Sequence, residues 1–290
     1  MNDPTETNRS VLLPFLGVLR VGGADAARFL QGQLTNDVQL LDDGRTEIAG
    51  YCTPQGRVIA VLRLHKVDDT IYALLPADLL ERVCTLLRRF VLRSKVDLQI
   101  AADLQVGWIA TVASLPGTAS AHVVAFDYAP GRRVIAAPAH AWRMITGLAS
   151  AGDQPHSRDE WLAADIRDGR PQVFAATSEA FIPQMLNLDL LDGISFSKGC
   201  YTGQEIVART QNLGRIKRRT FRYRVEGGTP PPPLASLYLE GAKVAEVLNA
   251  AAWGGQVELL AVTSLEARDR VLTLEDGRSA APVDMAYKVP

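Results

Sequence analysis

Residues 230–233 are four consecutive prolines, and this run limits what the chain can fold into more than any other stretch. Fixed φ angles and missing N–H groups stiffen it into polyproline II and bar it from a sheet ladder. It therefore reads as a loop at the edge of a final domain. Beyond it the pattern is β-like. Short runs at 236–240, 242–248, 256–263 and 271–275 are punctuated by turn signals such as Glu240-Gly241 and Asp276-Gly277. A small all-β barrel or sandwich is predicted there.

Upstream of the prolines, helical and strand periods are mixed. Residues 11–21 alternate weakly like a strand, and Asp25 can cap a helix that buries Phe29, Leu30 and Leu34 before Thr35-Asn36-Asp37 ends it. Residues 47–52, 57–64 and 70–75 read as strands separated by turns at 53–56 and 66–69. Leu80, Val83, Leu87 and Val91 recur at helical spacing, with Cys84 at the border of the apolar face. Further β-like runs lie at 96–101, 107–113, 122–126 and 133–137. Residues 147–156 are small and polar and read as an exposed connection. After them Ser157 and Glu160 fit a capping box for a helix carrying Trp161, Leu162, Asp165 and Ile166, closed by Gly169 before Pro171. The class is α+β, and 290 residues exceed a usual single core, so two or three domains are expected.

Charge and cysteine usage exclude several functions. Thirty-one basic against 32 acidic side chains give a net charge of -1, so an anionic partner must be met by a local patch. Cys52, Cys84 and Cys200 are odd in number and widely spaced, which argues against a disulfide framework and for a reducing, cytoplasmic compartment. The polar, acidic N-terminus lacks the apolar core of a signal peptide, and no apolar run approaches the roughly 20 residues that span a bilayer. His65, His122, His140 and His156 are scattered, with no C-x2-C or H-x3-H pair, so no resident metal site is expected. Neither G-x-S-x-G nor a phosphate-loop pattern occurs.

Residues 198–205 read Lys-Gly-Cys-Tyr-Thr-Gly-Gln-Glu. Thr202 and Glu205 fit a T-x-x-E capping box for a helix through Ile206, Val207 and Ala208. Cys200 then precedes the cap by two residues, where unpaired amides and the macrodipole favour a thiolate and Lys198 adds positive field. The alternative is a small buried hydrophobe. Just downstream, Arg209, Arg215, Lys217, Arg218, Arg219, Arg222 and Arg224 form the strongest charge cluster, with no acid between 206 and 225. It suits a polyanion, either nucleic acid or a multiply carboxylated cofactor tail, or else a solvated strand edge. Phe221 and Tyr223 alternate with Arg222 and Arg224, giving one apolar and one basic face. Trp161 offers an indole on which a pterin or nucleobase can stack, or simply leads the helix core. Phe181 to Asp189, Asn187 included, carries amides and carboxylates dense enough for a polar pocket or for turn chemistry.

Taken together these strings resemble the folate-binding YgfZ family, relatives of the aminomethyltransferase T-protein of the glycine cleavage system. Residues 198–205 match the family signature K-G-C-[FY]-x-G-Q-E at every position. Phe29 through Asp37, the Trp161-Leu162-Ala163 helix with its Gly169-x-Pro171 stop, and Phe181 through Asp189 leading into Gly193-Ile194-Ser195-Phe196 match as well. The resemblance implies three domains in a ring. They are a discontinuous folate-binding domain (11–46 and 138–220), an inserted ferredoxin-like α+β domain (47–137) and a C-terminal β-barrel (221–290). It implies tetrahydrofolate as cofactor, bound by Trp161, Asn187, Tyr201, Gln204 and Glu205. Cys200 becomes a redox thiol or transient cluster ligand assisted by Lys198. The role implied is maintenance or repair of iron–sulfur enzymes, including a tRNA methylthiotransferase.

The chain departs from true aminomethyltransferases at one position. Those enzymes carry a turn whose aspartate handles protons at the folate nitrogens, and Ala60 stands in its place. A positioned acid or base contributes roughly 10²–10⁴-fold, so its absence argues against glycine-cleavage chemistry. An accessory protein for iron–sulfur enzymes is the first expectation, a one-carbon transferase the second, and a tRNA-binding module using Arg209 to Arg224 the third.

Overall fold

The computed structural model describes residues 10–109, 123–129, 132–139, 141–142, 158–212 and 216–290. The expected connection at 147–156 and the Ser157 cap lie outside them. The described chain forms two compact units, drawn from Met1–Gln33, Asp37–Ile48 and Leu62–His156 for the first, and from Leu34–Asn36, Ala49–Val61 and Ser157–Pro290 for the second.

The elements of the first part of the chain follow the periodicities closely. The expected opening strand is broken at residues 13–15 into β1 (Ser10–Leu12) and β2 (Leu16–Gly22), which join different sheets. Next come α1 (Ala26–Gln31), β3 (Thr46–Cys52), β4 (Val58–Val67), β5 (Thr70–Pro76), α2 (Leu80–Val91) and β6 (Asp97–Ile100). β7 (Leu104–Ile109), β8 (Val124–Ala129) and β9 (Arg132–Pro138) follow. One sheet has the order β3-β4-β5-β2-β6 and the other β1-β7-β9-β8. α1 stops at Gln31, short of the expected Leu34. Asp25 makes no side-chain cap bond to the helix and instead accepts the Lys95 N–H at 2.8 Å. Within the first unit the two sheets meet where the rings of His65 and Phe126 lie 5.6 Å apart and the Arg63 guanidinium sits 3.6 Å over the Tyr128 ring. α2 buries Val83, Cys84 and Leu87, as its spacing predicts.

The second unit opens with α3 (Arg158–Arg167), which packs against barrel strands and buries Trp161, Leu162 and Ile166. Gly169 takes φ +67°, and the N–H groups of Gly169 and Arg170 return to the carbonyls of Ile166 and Asp165 at 3.0 and 2.8 Å. Only glycine holds that left-handed stop without strain. α4 (Gln204–Asn212) precedes β10 (Arg218–Glu226), β11 (Ser236–Leu239), β12 (Ala242–Trp253), β13 (Gln256–Ser264), β14 (Leu272–Leu274) and β15 (Ser279–Val283). These six strands close into a barrel of order β10-β13-β12-β11-β14-β15, and the prolines lie in the loop before β11. Alternation places Tyr223, Val225, Leu237, Val247 and Leu259 inside it. The fold is thus α+β with few helices and a C-terminal β-barrel. No helix among the described residues is long and apolar enough to cross a membrane.

Candidate functional site

The loop that carries Cys200 is held from both sides by buried polar bonds within the second unit. On its N-terminal side, Thr35 donates its hydroxyl to the Gly193 carbonyl at 2.6 Å and accepts the Gly50 N–H at 2.7 Å. Ser195 N–H reaches the Thr35 carbonyl at 3.0 Å, and Asn36 Nδ2 reaches the Asp192 carbonyl at 2.8 Å. Lys198 completes the clamp. Its ammonium is only 7% exposed in the residue as a whole and donates to the carbonyls of Leu34 and Asn36 at 2.8 and 2.6 Å, lying 5.1 Å over the Tyr201 ring. The lysine is therefore committed to holding segment 34–36 as well as being near the thiol in sequence.

On the C-terminal side two glycines allow backbones to touch. Gly203 has φ +84°, and a Cβ there would fall 2.5 Å from the Thr53 carbonyl oxygen. Gly56, at φ +69°, would place a Cβ 2.8 Å from that of Ile206. The 53–56 turn and the start of α4 are thus packed against each other. α4 begins at Gln204, one residue later than the Thr202 cap predicts, with Glu205 in its first turn where negative charge is favourable. Cys200 lies correspondingly one residue farther from the helix.

Exposure separates the three cysteines. Cys52 and Cys84 are buried and Cys200 is exposed, contrary to the buried-hydrophobe reading of Cys200. Burial pushes the Cys52 thiol up to about 12. Tyr201 is also buried, and desolvation followed by the neighbouring Cys52 raises its phenol, so both are neutral near pH 7. Ala60 is fully buried in β4. Gln204 is half-buried and Glu205 exposed.

The remaining residues divide into scaffold and unspent groups. Asn187, left-handed at φ +57°, is fully buried. Its amide donates to the Thr220 carbonyl at 2.8 Å and the Tyr287 hydroxyl at 3.2 Å, and its oxygen accepts from Arg219 at 3.2 Å. Arg219 also grips Asp189 through two bonds of 2.9 and 2.7 Å. Asn187 is thereby spent on scaffold. Trp161 is 6% exposed in α3, whose exit is stitched to β12 by Asn249 bonding both the N–H and the carbonyl of Gln172 at 2.9 Å. Gln184 donates to the Val207 carbonyl at 2.7 Å, while its buried Oε1 accepts no hydrogen bond among the described residues. Nothing in local sequence distinguishes Gln184 or Thr35, because their partners are 23 and 158 residues away.

The basic run is altered most by folding. Arg218 pairs with Glu246 at 2.8 Å and Arg219 with Asp189, while Arg222 and Arg224 share Glu258 at 2.9 Å each. Burial pushes the Glu258 carboxyl up, but hydrogen bonds and charge from both arginines outweigh that and hold it below its ordinary value. Three carboxylates thus offset three of the run's seven cations, and Arg218, Arg219, Arg222 and Arg224 are committed to those pairs. Arg215 lies outside the described residues. Arg209 and Lys217 remain exposed without an acidic partner among those described. No group of three or more His, Cys, Asp or Glu side chains is placed to hold a metal among the described residues.

No family model matches the chain. The tRNA-modifying protein YgfZ of Hamiltonella defensa subsp. Acyrthosiphon pisum (strain 5AT) is 32% identical over 231 residues, spanning 73% of this chain and 68% of that protein. The protein of the same name from Serratia proteamaculans (strain 568) is 33% identical over 242 residues, spanning 77% and 73%. Among solved structures, the glycine cleavage system aminomethyltransferase T of Bartonella henselae superposes with a TM-score of 0.71 over 95% of this chain and 84% of that one. At 13% identity that likeness establishes the T-protein fold alone. Identity at the level of the first two, over most of both sequences, makes this chain a member of the family of tRNA-modifying YgfZ proteins.

Proposed function

We propose that the chain is a tetrahydrofolate-binding accessory protein of the cytoplasm that assists assembly or repair of iron–sulfur enzymes, including those that methylthiolate tRNA. The observation that carries this reading is a single exposed thiol, Cys200, on a loop immobilised by Lys198, Thr35 and the Gly56–Gly203 contact, in a chain with the T-protein fold. A thiol so held can meet a partner's cluster as a transient ligand, or undergo thiol–disulfide exchange, without reorganising its loop.

The residues present fit a folate. A pterin offers N–H donors, and the buried Gln184 Oε1 is an acceptor with no donor among the described residues. Trp161 supplies an aromatic face, Tyr201 a polar group on the cysteine loop, and Gln204 and Glu205 polar groups at the start of α4. Bound folate would provide a one-carbon or redox-active pterin. The protein's own contribution is to bind it, exclude water and present Cys200, while Asn187 acts behind the site through Arg219 and Tyr287. The three-domain partition at 11–46 with 138–220, 47–137 and 221–290 belongs to the same proposal.

The test is titration of tetrahydrofolate into the purified protein, followed by tryptophan fluorescence and by isothermal calorimetry, in wild type and Trp161→Phe. Saturable binding weakened by Trp161→Phe and by Gln184→Leu is expected. Absence of saturable heat would end the folate reading. In a deletion strain, Cys200→Ala is expected to fold but fail to restore cluster-enzyme activity, and full rescue would remove the thiol role. A one-carbon transferase would instead release formaldehyde or methylene-folate from an aminomethyl donor, an outcome that Ala60 opposes.

A further inference from the structure

The first unit contains an open groove of about 860 Å³ formed by α1, the end of α2 and the segment after it. Its lining combines apolar Phe29, Phe90 and Leu92 with Arg28 and Arg93. Phe90 is 45% and Leu92 87% exposed, adjacent large apolar groups that a surface rarely leaves to water without use. Local structure does not call for leucine at 92. That residue caps α2 at φ +45°, where glycine or asparagine is favoured. Basic residues at a helix C-terminus are ordinary, and Arg88 is used to hold the Leu98 carbonyl at 3.0 Å. Arg28, Arg89, Arg93 and Lys95 are exposed and have no carboxylate partner among the described residues. The one acid in the lining, Asp25, accepts the Lys95 N–H.

We infer that this groove docks an acidic, amphipathic segment of a partner protein. The apolar centre takes the partner's aliphatic or aromatic side chains, and the two lining cations, Arg28 and Arg93, take carboxylates flanking them, the usual division between interface core and rim. Aromatic and arginine side chains are also the residue types that dominate such interfaces. A single-stranded nucleic acid is a poorer match. It needs successive stacking platforms along a cationic track, whereas the groove has one exposed aromatic beside an aliphatic side chain that cannot stack. A second copy of this chain is disfavoured, because a two-fold pairing through the groove would bring the same cations against themselves. The inference goes beyond the folate reading and does not depend on it.

The test uses the full chain and fluorescence anisotropy with a synthetic helical peptide bearing leucines at i, i+3, i+4 and i+7 and glutamates elsewhere. Competitors are a scrambled peptide of equal composition, poly-glutamate and single-stranded RNA. The amphipathic peptide is expected to bind, to lose at least about tenfold in affinity with Phe90→Ser/Leu92→Ser, and to lose a similar factor with Arg93→Glu. Equal binding of the scrambled peptide or poly-glutamate would reduce the site to nonspecific charge and overturn the inference. Tighter RNA binding that depends on Phe90, or a wild-type dimer abolished by Phe90→Ser/Leu92→Ser in sedimentation, would overturn it in favour of those occupants. Unchanged thermal melts and tetrahydrofolate titrations of the variants separate this result from failure of folding or of the folate reading.

Discussion

Replacing the two glycines of the cysteine loop by alanine should have effects of opposite sign. At Gly203 the new methyl meets the Thr53 carbonyl oxygen at 2.5 Å, the Gly56 Cα at 3.1 Å and the Cys52 Cβ at 3.2 Å. The first two are backbone atoms, which no rotamer change can move aside. Holding an L-residue at φ +84° costs about 1–2 kcal/mol, and forcing a methyl into filled space about 1–3 kcal/mol more. Loss of unfolded-chain entropy returns about 0.4–1 kcal/mol, leaving a net destabilisation of about 1–5 kcal/mol. At Gly199 a Cβ meets nothing within 4 Å and φ is not left-handed, so only the entropy effect remains and Gly199→Ala should be neutral or slightly stabilising. Urea unfolding followed by tryptophan fluorescence measures both. Equal midpoints for the two variants, or a Gly203→Ala protein as stable as wild type, would refute the packing of the 53–56 turn on the start of α4.

Lys198→Met should lower stability by about 2–4 kcal/mol in thermal melts, because the carbonyls of Leu34 and Asn36 lose a charged donor in a buried site. Asp189→Asn should cost about 3–5 kcal/mol, since Arg219, with a side chain 5% exposed, loses its bidentate anion; a loss within 1 kcal/mol in calorimetric unfolding would show the pair is not needed. Glu258 has a depressed folded pKa, so its contribution is complete above its unfolded value of about 4.3 and disappears as pH falls through the lower folded value. The stability gap between wild type and Glu258→Gln should therefore be widest near neutrality and close on acidification below about pH 4. A thiol reagent applied to the native protein should modify Cys200 alone, with Cys52 and Cys84 reacting only in denaturant, as mass spectrometry of digests would report.

Much of the fold is legible along the chain because period and punctuation are local properties. The strands expected at 47–52 and 70–75 appear as Thr46–Cys52 and Thr70–Pro76, and the helix read from Leu80 to Val91 has those bounds. Misreadings occur where a distant partner competes with a local one. Asp25 has the chemistry of a helix cap but bonds to Lys95, 70 residues away. Leu34 continues the apolar spacing of α1, yet it lies past the helix end and bridges to Tyr51.

The same division runs through the candidate site. Sequence by itself determined the α+β class, the proline break ahead of an all-β final domain and the cysteine motif, since each rests on residue type and spacing. Only the tertiary structure decided what the charges do. Lys198 faces carbonyls more than 160 residues away, and the run from Arg218 to Arg224 meets Asp189, Glu246 and Glu258 from segments 28 to 36 residues distant. The field of a charge depends on the carboxylates folding brings within a few ångströms, and a list of residues in order does not contain that distance.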